Sequence, residues 1–156
     1  MQQAVTTQRT ILLVEDDDDT RRIYSVMLQQ AGFRVVEAAN GPDAVRSALE
    51  DAPDLILMDM NLPVLDGGEA ARRIRSDGQA GSAPLLAFSA LIDSTADLRH
   101  NAILFDGFIA KPVSPAELVR RVGAYVELVA PPIRKGNESP RPNRARREPS
   151  PKATQA

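Results

Sequence analysis

The sequence predicts an α/β protein, a parallel sheet covered by helices on both faces. Three observations carry the prediction. Short apolar runs recur at 11–14, 33–38, 55–58, 84–89 and 107–110. A helical pattern follows each run, and alternating strands and helices imply a parallel sheet. Four of the five runs lead directly into a polar or charged residue: Glu15, Asp59, Ser89 and Lys111. Right-handed crossovers put the C-terminal ends of all the strands on one edge. These four residues therefore share a rim.

Composition sets the outer bounds. The chain has 156 residues, 43% of them apolar and 4% aromatic, which suits one domain with an aliphatic core. It has no cysteine, which excludes disulfides, thiolate catalysis and Cys-based metal sites. That absence fits a reducing cytosol, and a cytoplasmic location is expected. No stretch approaches the roughly 18 apolar residues of a membrane span, so no membrane insertion is expected. The net charge of −2 hides an asymmetry. Residues 1–130 carry 12 Lys/Arg against 19 Asp/Glu, a balance of −7. Residues 131–156 carry 7 against 2, a balance of +5.

The elements follow in order. Ile11-Leu12-Leu13-Val14 is a strand that ends in an acidic run from Glu15 to Asp19. A helix follows, with Ile23, Val26, Met27 and Gln30 or Ala31 on its inner face, and Gly32 stops it. Phe33 to Ala38 is a valine-rich strand. Asn40, Gly41 and Pro42 open a helix carrying Ala44, Val45, Ala48 and Leu49 inward. Leu55 to Met58 is a strand buried on both faces. It ends in Asp59, and Pro63, Asp66 and Gly67 mark the loop beyond it. Gly67 to Ser76 is a helix with Ala70, Ala71 and Ile74 inward, and 78–82 is loop. Pro84 to Ser89 is a strand, 96–104 a less regular helix, and Gly107 to Ala110 the last strand. Ser114-Pro115-Ala116-Glu117 is a capping box opening a helix that runs to about Val129, with Leu118, Val122, Tyr125, Val126 and Val129 as its stripe.

The rim residues define a chemistry. Glu15, Asp16 and Asp59 together carry −3, and one Mg²⁺ with Lys111 would bring the cluster to zero. Mg²⁺ takes one or two carboxylates, keeps waters and coordinates phosphate oxygens. A neutralised Asp59 is then a competent nucleophile toward phosphorus, giving an aspartyl phosphate. Lys111 and the Ser89 hydroxyl can stabilise the charge on the transferring group. A calcium loop starting at Asp16 is excluded, because its sixth position, which must be Gly, is Arg21. Asp17, Asp18 and Asp19 instead suit a helix N-terminus. His100 is the single histidine and has no partner for a metal site.

Five short motifs, in order, now match a family. They are Ile11-Leu12-Leu13-Val14-Glu15-Asp16-Asp17, Leu57-Met58-Asp59-Met60-Asn61-Leu62-Pro63, Asp66-Gly67, Ser89-Ala90 and Lys111-Pro112. From Thr10 to Val129 the chain resembles the receiver domain of two-component response regulators, of the stand-alone kind found in the chemotaxis regulator. The resemblance implies a flavodoxin-like fold with five parallel strands in the order 2-1-3-4-5. It implies Asp59 as phosphoacceptor, Asp16 as a direct Mg²⁺ ligand, Glu15 as a ligand mainly through water, and Asn61 as a ligand through its backbone carbonyl. Ser89 and Lys111 are expected to contact the phosphoryl group, Phe108 to act as the switch aromatic, and Lys111-Pro112 to be cis. Ser89 replaces the commoner Thr, Glu15 an Asp, and Phe108 the Tyr often found there. Residues 91–104 match the family poorly.

The expected organisation is a disordered N-terminus at 1–9, a receiver domain at 10–130 and a disordered basic Pro/Arg-rich tail at 131–156. The expected function is phosphoacceptance on Asp59 in a phosphorelay, from a histidine kinase or a His-containing phosphotransfer protein. The protein is expected to catalyse its own phosphotransfer and dephosphorylation only, so it is not a turnover enzyme. With no output domain expected after Val129, signalling runs through a phosphorylation-dependent protein contact. The resemblance implies that the surface for that contact is the last helix, the last strand and the helix before it. No nucleic acid is expected on the folded domain, and the tail lacks aromatics for base stacking. The competing class is a haloacid-dehalogenase-type phosphatase, which needs a second acid two residues after its nucleophile. Asn61 occupies that position here.

Overall fold

The computed structural model describes residues 8–90 and 102–129. Five strands form one sheet: β1 (Thr10–Val14), β2 (Arg34–Ala38), β3 (Leu55–Asp59), β4 (Leu85–Ser89) and β5 (Gly107–Ala110). Their order is β2-β1-β3-β4-β5 and every pairing is parallel. Among the described residues the α-helices are α1 (Asp18–Gln30), α2 (Gly41–Asp51), α3 (Gly67–Ser76) and α4 (Pro115–Val129). The expected flavodoxin-like order is thus observed. Residues 1–7 of the expected disordered segment at 1–9, the expected tail at 131–156 and most of the expected helix at 96–104 lie outside the described residues, and Arg9 pairs with Asp54 at 3.5 Å.

β1, β3 and β4 are buried along their whole length, which explains their continuous apolar sequences. Successive strand residues face opposite sides. Leu12, Val14, Ile56, Met58, Leu85 and Ala87 point to α2 and α3 and meet Ala44, Ala48, Ala70, Ala71 and Ile74. Ile11, Leu13, Leu55, Leu57, Leu86, Phe88 and Ile109 point the other way and meet Tyr24, Leu28, Leu118, Val122 and Val126. Each fully buried large side chain contributes about 1.5–3 kcal/mol. The two cores together hold the strand ends in fixed register.

Helix starts follow the sequence signals. Asp17 caps α1 by accepting the Thr20 N–H at 2.7 Å, and Asn40 caps α2 by accepting that of Asp43 at 2.8 Å. Asp66 caps α3 through the Glu69 N–H at 2.9 Å. Ser114 accepts the Glu117 N–H at 3.2 Å, but the carboxylate of Glu117 bonds Arg120. The expected capping box is therefore half made. Gly32 (φ 99°) ends α1 in a Schellman motif: Phe33 N–H bonds Leu28 O at 3.1 Å and Gly32 N–H bonds Gln29 O at 3.0 Å.

The expected inner face of α1 is corrected. Ile23 is 53% exposed and Val26 43%, while Tyr24, Ser25 and Leu28 face the core. Tyr24 decides the rotation, because its ring packs on Phe88 and its hydroxyl finds the partly buried carbonyl of Val113. Leu49 of α2, also expected inside, is half exposed. Part of the expected loop at 78–82 is a 3₁₀ turn, Ala80–Ser82, and Asp77 accepts the N–H groups of Gln79 and Ala80.

Candidate functional site

The C-terminal edge of the sheet brings the expected residues together. Glu15 follows β1, Asp59 and Ser89 are the last residues of β3 and β4, and Lys111 follows β5. Glu15, Asp59 and Ser89 are 2%, 4% and 5% exposed, so these polar groups are held inside the rim. Asp16 is exposed beside them. Carboxylate oxygens of Glu15, Asp16 and Asp59 lie within 4.8 Å of one another.

Lys111 ties this cluster together. Its Nζ donates to Asp59 Oδ2 at 3.1 Å and forms a short bond to Glu15 Oε2. The same ammonium lies 4.6 Å from the centroid of the Phe88 ring. Asp59 Oδ1 accepts the Asn61 N–H at 2.9 Å, so Asn61 meets Asp59 through its backbone while its side chain is exposed. The Lys111 N–H donates to Ser89 O at 2.9 Å, and Lys111-Pro112 is cis, as expected.

Burial pushes the Glu15 carboxyl up from its ordinary value; the Lys111 hydrogen bond opposes this and the Asp59 charge reinforces it. Burial alone would lower the Lys111 ammonium, but the Glu15 hydrogen bond and the Asp59 charge outweigh it and raise its pKa. Lys111 is therefore cationic, and three carboxylates around one ammonium leave an excess of negative charge. The donors are all hard oxygens, partly buried and crowded. That set fits a divalent cation such as Mg²⁺.

Phe108 lies three residues before Lys111 on β5, in register with Ala87 and on the same sheet face as Ser89. It is half-buried and packs tilted against Phe105, with centroids 5.8 Å apart.

The packing role of Gly67, a residue the motifs already include, and several other contributors escaped the sequence reading. A Cβ on Gly67 would fall on the Asp59 carbonyl, so only glycine lets α3 start this close to the site strand. Arg21 donates from Nη1 to Glu15 O at 2.9 Å and pairs with Asp18 and Glu37, fixing the turn after β1. Tyr24 Oη donates to Val113 O at 3.0 Å, two residues beyond Lys111. The Tyr24 and Phe88 signal was available in strand parity and helical spacing, but only once the strand order was known.

A family model described as the response regulator receiver domain matches residues 11–123. The chain belongs to the response regulator receiver family. Its relatives include the phosphate regulon transcriptional regulatory protein PhoB of Pseudomonas aeruginosa, 34% identical over 123 residues, which are 79% of this chain and 54% of that one. The transcriptional regulatory protein PrrA of Mycobacterium tuberculosis is 40% identical over 100 residues, 64% of this chain and 42% of that one. The chain thus spans about half the length of the curated relatives it matches. Among solved structures, the receiver domain of a sensor histidine kinase from Pseudomonas aeruginosa has a TM-score of 0.69 and 36% identity. The match covers 78% of this chain and 99% of that one, and that crystal holds a magnesium ion coordinated in its active site cleft. The chemotaxis response regulator CheY4 of Vibrio cholerae has a TM-score of 0.70 at 29% identity, over 77% of this chain and 99% of that one. Receiver domains of response regulators are signalling domains. Among the described residues, no helix is long and apolar enough to cross a membrane.

Proposed function

We propose that this receiver accepts a phosphoryl group on Asp59 in a phosphorelay, from a histidine kinase or a His-containing phosphotransfer protein. The observation that supports it best is the Lys111 ammonium bridging Asp59 and Glu15 beside the three-carboxylate cluster. An Asp59 oxygen attacks the phosphorus of a phosphohistidine. The O–P bond forms as the P–N bond breaks, and the imidazole leaves with the electron pair and takes up a proton. Lys111 and Ser89 meet the charge on the phosphoryl oxygens. Hydrolysis returns phosphate and the free Asp59 carboxylate, so the domain acts on itself alone.

By family resemblance Mg²⁺ would be held by Asp16 directly, Glu15 mainly through water, Asp59, and the Asn61 carbonyl. When bound it supplies charge neutralisation at the phosphoryl oxygens. Lys111 meanwhile keeps Asp59 aligned, and the Asn61 N–H holds its second oxygen. A phosphatase of the haloacid-dehalogenase type is disfavoured, because Asn61 cannot serve as a general acid or base.

Downstream signalling is a phosphorylation-dependent protein contact in a cytoplasmic setting, with no nucleic acid on the folded domain. The test is phosphotransfer profiling against purified histidine kinases and phosphotransfer proteins, with Asp59→Asn as control. Labelling of wild type and none of Asp59→Asn is expected. Undiminished labelling of the variant would sink the assignment.

A further inference from the structure

The sheet order poses a problem that Lys111 must solve. Asp59 ends β3 and Lys111 follows β5, with β4 between them. Neighbouring strands lie about 4.8 Å apart, so the lysine has to span roughly 10 Å across the end of β4. Phe88 pairs in register with Ile109, and both face α1 and α4. Lys111 is two residues beyond Ile109, so it leaves the backbone toward that face. The side chain under its path is therefore that of Phe88, which is wholly buried and lies 4.6 Å below the ammonium. Tyr24 meets the same ring edge-on, at 5.2 Å and 79°. The Tyr24 hydroxyl also donates to Val113 O at 3.0 Å. One tyrosine thus braces the ring beneath the lysine and the backbone segment that carries it.

We propose that Phe88 is a positioning residue for Lys111, with Tyr24 as its brace, so that the ring seats the ammonium as it passes from the resting carboxylates to the phosphoryl group on Asp59. The inference rests on the phosphoacceptor reading above. An aromatic face attracts a cation without carrying a formal charge or an acceptor that would compete for it. On the phosphoacceptor reading Glu15 turns to the metal and Asp59 to the phosphoryl group once the site is loaded, whereas here both hold Lys111. The ring contact is independent of both. It restricts the four-carbon stem to conformations that cross β4, which raises the local concentration of ammonium at the phosphoryl oxygens.

The test replaces Phe88 in the full chain with mono-, di- and trifluorinated phenylalanines, which weaken the ring's negative face at nearly constant volume. Two signals are read. The Lys111 Cε–Hε resonances report proximity to the ring, which moves protons above its face upfield. Beryllofluoride affinity, in the presence of Mg²⁺, reports the phosphoryl-bound state. We expect the Lys111 resonances to move stepwise toward those of a free lysine, and affinity to fall about five-fold across the series with an unchanged unfolding midpoint. Phe88→Leu should show the full loss of ring shift, and Tyr24→Phe a partial one. Unmoved Lys111 resonances would overturn the seat. Moved resonances with flat affinity would overturn its positioning role. A wild type that fails to bind beryllofluoride would overturn the phosphoacceptor reading instead, and the Lys111 resonances alone would then decide the seat.

Discussion

Arg75 Nη2 lies 2.8 Å from Asp106 Oδ2, and the same carboxylate oxygen accepts the Leu85 N–H at 2.8 Å. Arg75 also donates from Nε to Leu104 O at 2.9 Å, and from Nη1 to Gly81 O at 2.8 Å and Ala83 O at 2.7 Å. One guanidinium at the end of α3 thus gathers the segments leading into β4 and β5. Those two strands carry Ser89 and Lys111 at their far ends.

Removing Arg75 strips three carbonyls of a charged donor and leaves Asp106 without its cation. Hydrogen bonds to charged groups contribute about 1.5–3 kcal/mol each, and they are not additive here because exposed carbonyls regain water. Arg75→Ala is expected to destabilise the domain by about 2–4 kcal/mol in urea unfolding. Asp106→Asn, which keeps an acceptor for the Leu85 N–H, should cost less. A loss below about 0.5 kcal/mol for Arg75→Ala would show that these bonds add nothing net.

The carboxylates should differ in their effect on Mg²⁺. Asp16 is exposed and among the described residues makes no ion pair, whereas Glu15 is buried and bonded to Lys111. Asp16→Ala should therefore raise the Mg²⁺ requirement for labelling by a small phosphodonor more than Glu15→Gln does. Losses of roughly 10–100-fold are expected for the weaker case, in line with groups that support rather than bind a metal. A magnesium titration of labelling rate measures both. Full labelling with excess chelator present would refute the metal's role altogether.

The basic segment 131–156 contributes no rim residue and no apolar stripe to the sequence pattern. Deleting it is expected to leave the unfolding midpoint within about 2 °C and phosphodonor labelling within about two-fold, since surface changes away from buried features cost under about 0.5 kcal/mol. A larger drop in either quantity would mean that the segment docks on the domain.

The sheet was readable because β1, β3 and β4 are buried on both faces, which forces continuous apolar runs such as Leu55-Ile56-Leu57-Met58. The rim was readable because a strand buried along its whole length does not end in a carboxylate such as Asp59 unless something partners the charge. The face of α1 was not. Apolar labels favoured Ile23 and Val26, while the inner position went to Tyr24, an amphipathic residue whose hydroxyl is satisfied by Val113, 89 positions away. Phe88 beneath Lys111 needed the strand order, and Arg75 needed three loops folded together. Val64 carried no signal either: its left-handed φ of 70° is rare for a β-branched residue.

The last prediction concerns transmission from the rim. Phosphorylation of Asp59 replaces a carboxylate of charge −1 with an acyl phosphate of up to about −2, a net gain of about −1 carried on three new phosphoryl oxygens. Ser89, buried at the end of the adjacent strand, can donate its hydroxyl to that group without adding charge. Its movement opens space on the sheet face it shares with Ala87 and Phe108. Phe108 can follow into that space, leaving its tilted packing on Phe105. Burying a whole phenylalanine is worth about 1.5–3 kcal/mol. The ring is already half-buried, so about 1 kcal/mol is available, a shift of roughly five-fold in a two-state equilibrium. With no hydroxyl to keep hydrated, the inward state should also be populated before phosphorylation. Ser89→Ala is therefore expected to accept phosphate yet respond weakly, and Lys111→Ala to be uncoupled as well. Ring resonances of Phe105 and Phe108, recorded with and without beryllofluoride, measure the response. If Ser89→Ala moves those resonances as far as wild type does, Ser89 is not the link between Asp59 and Phe108.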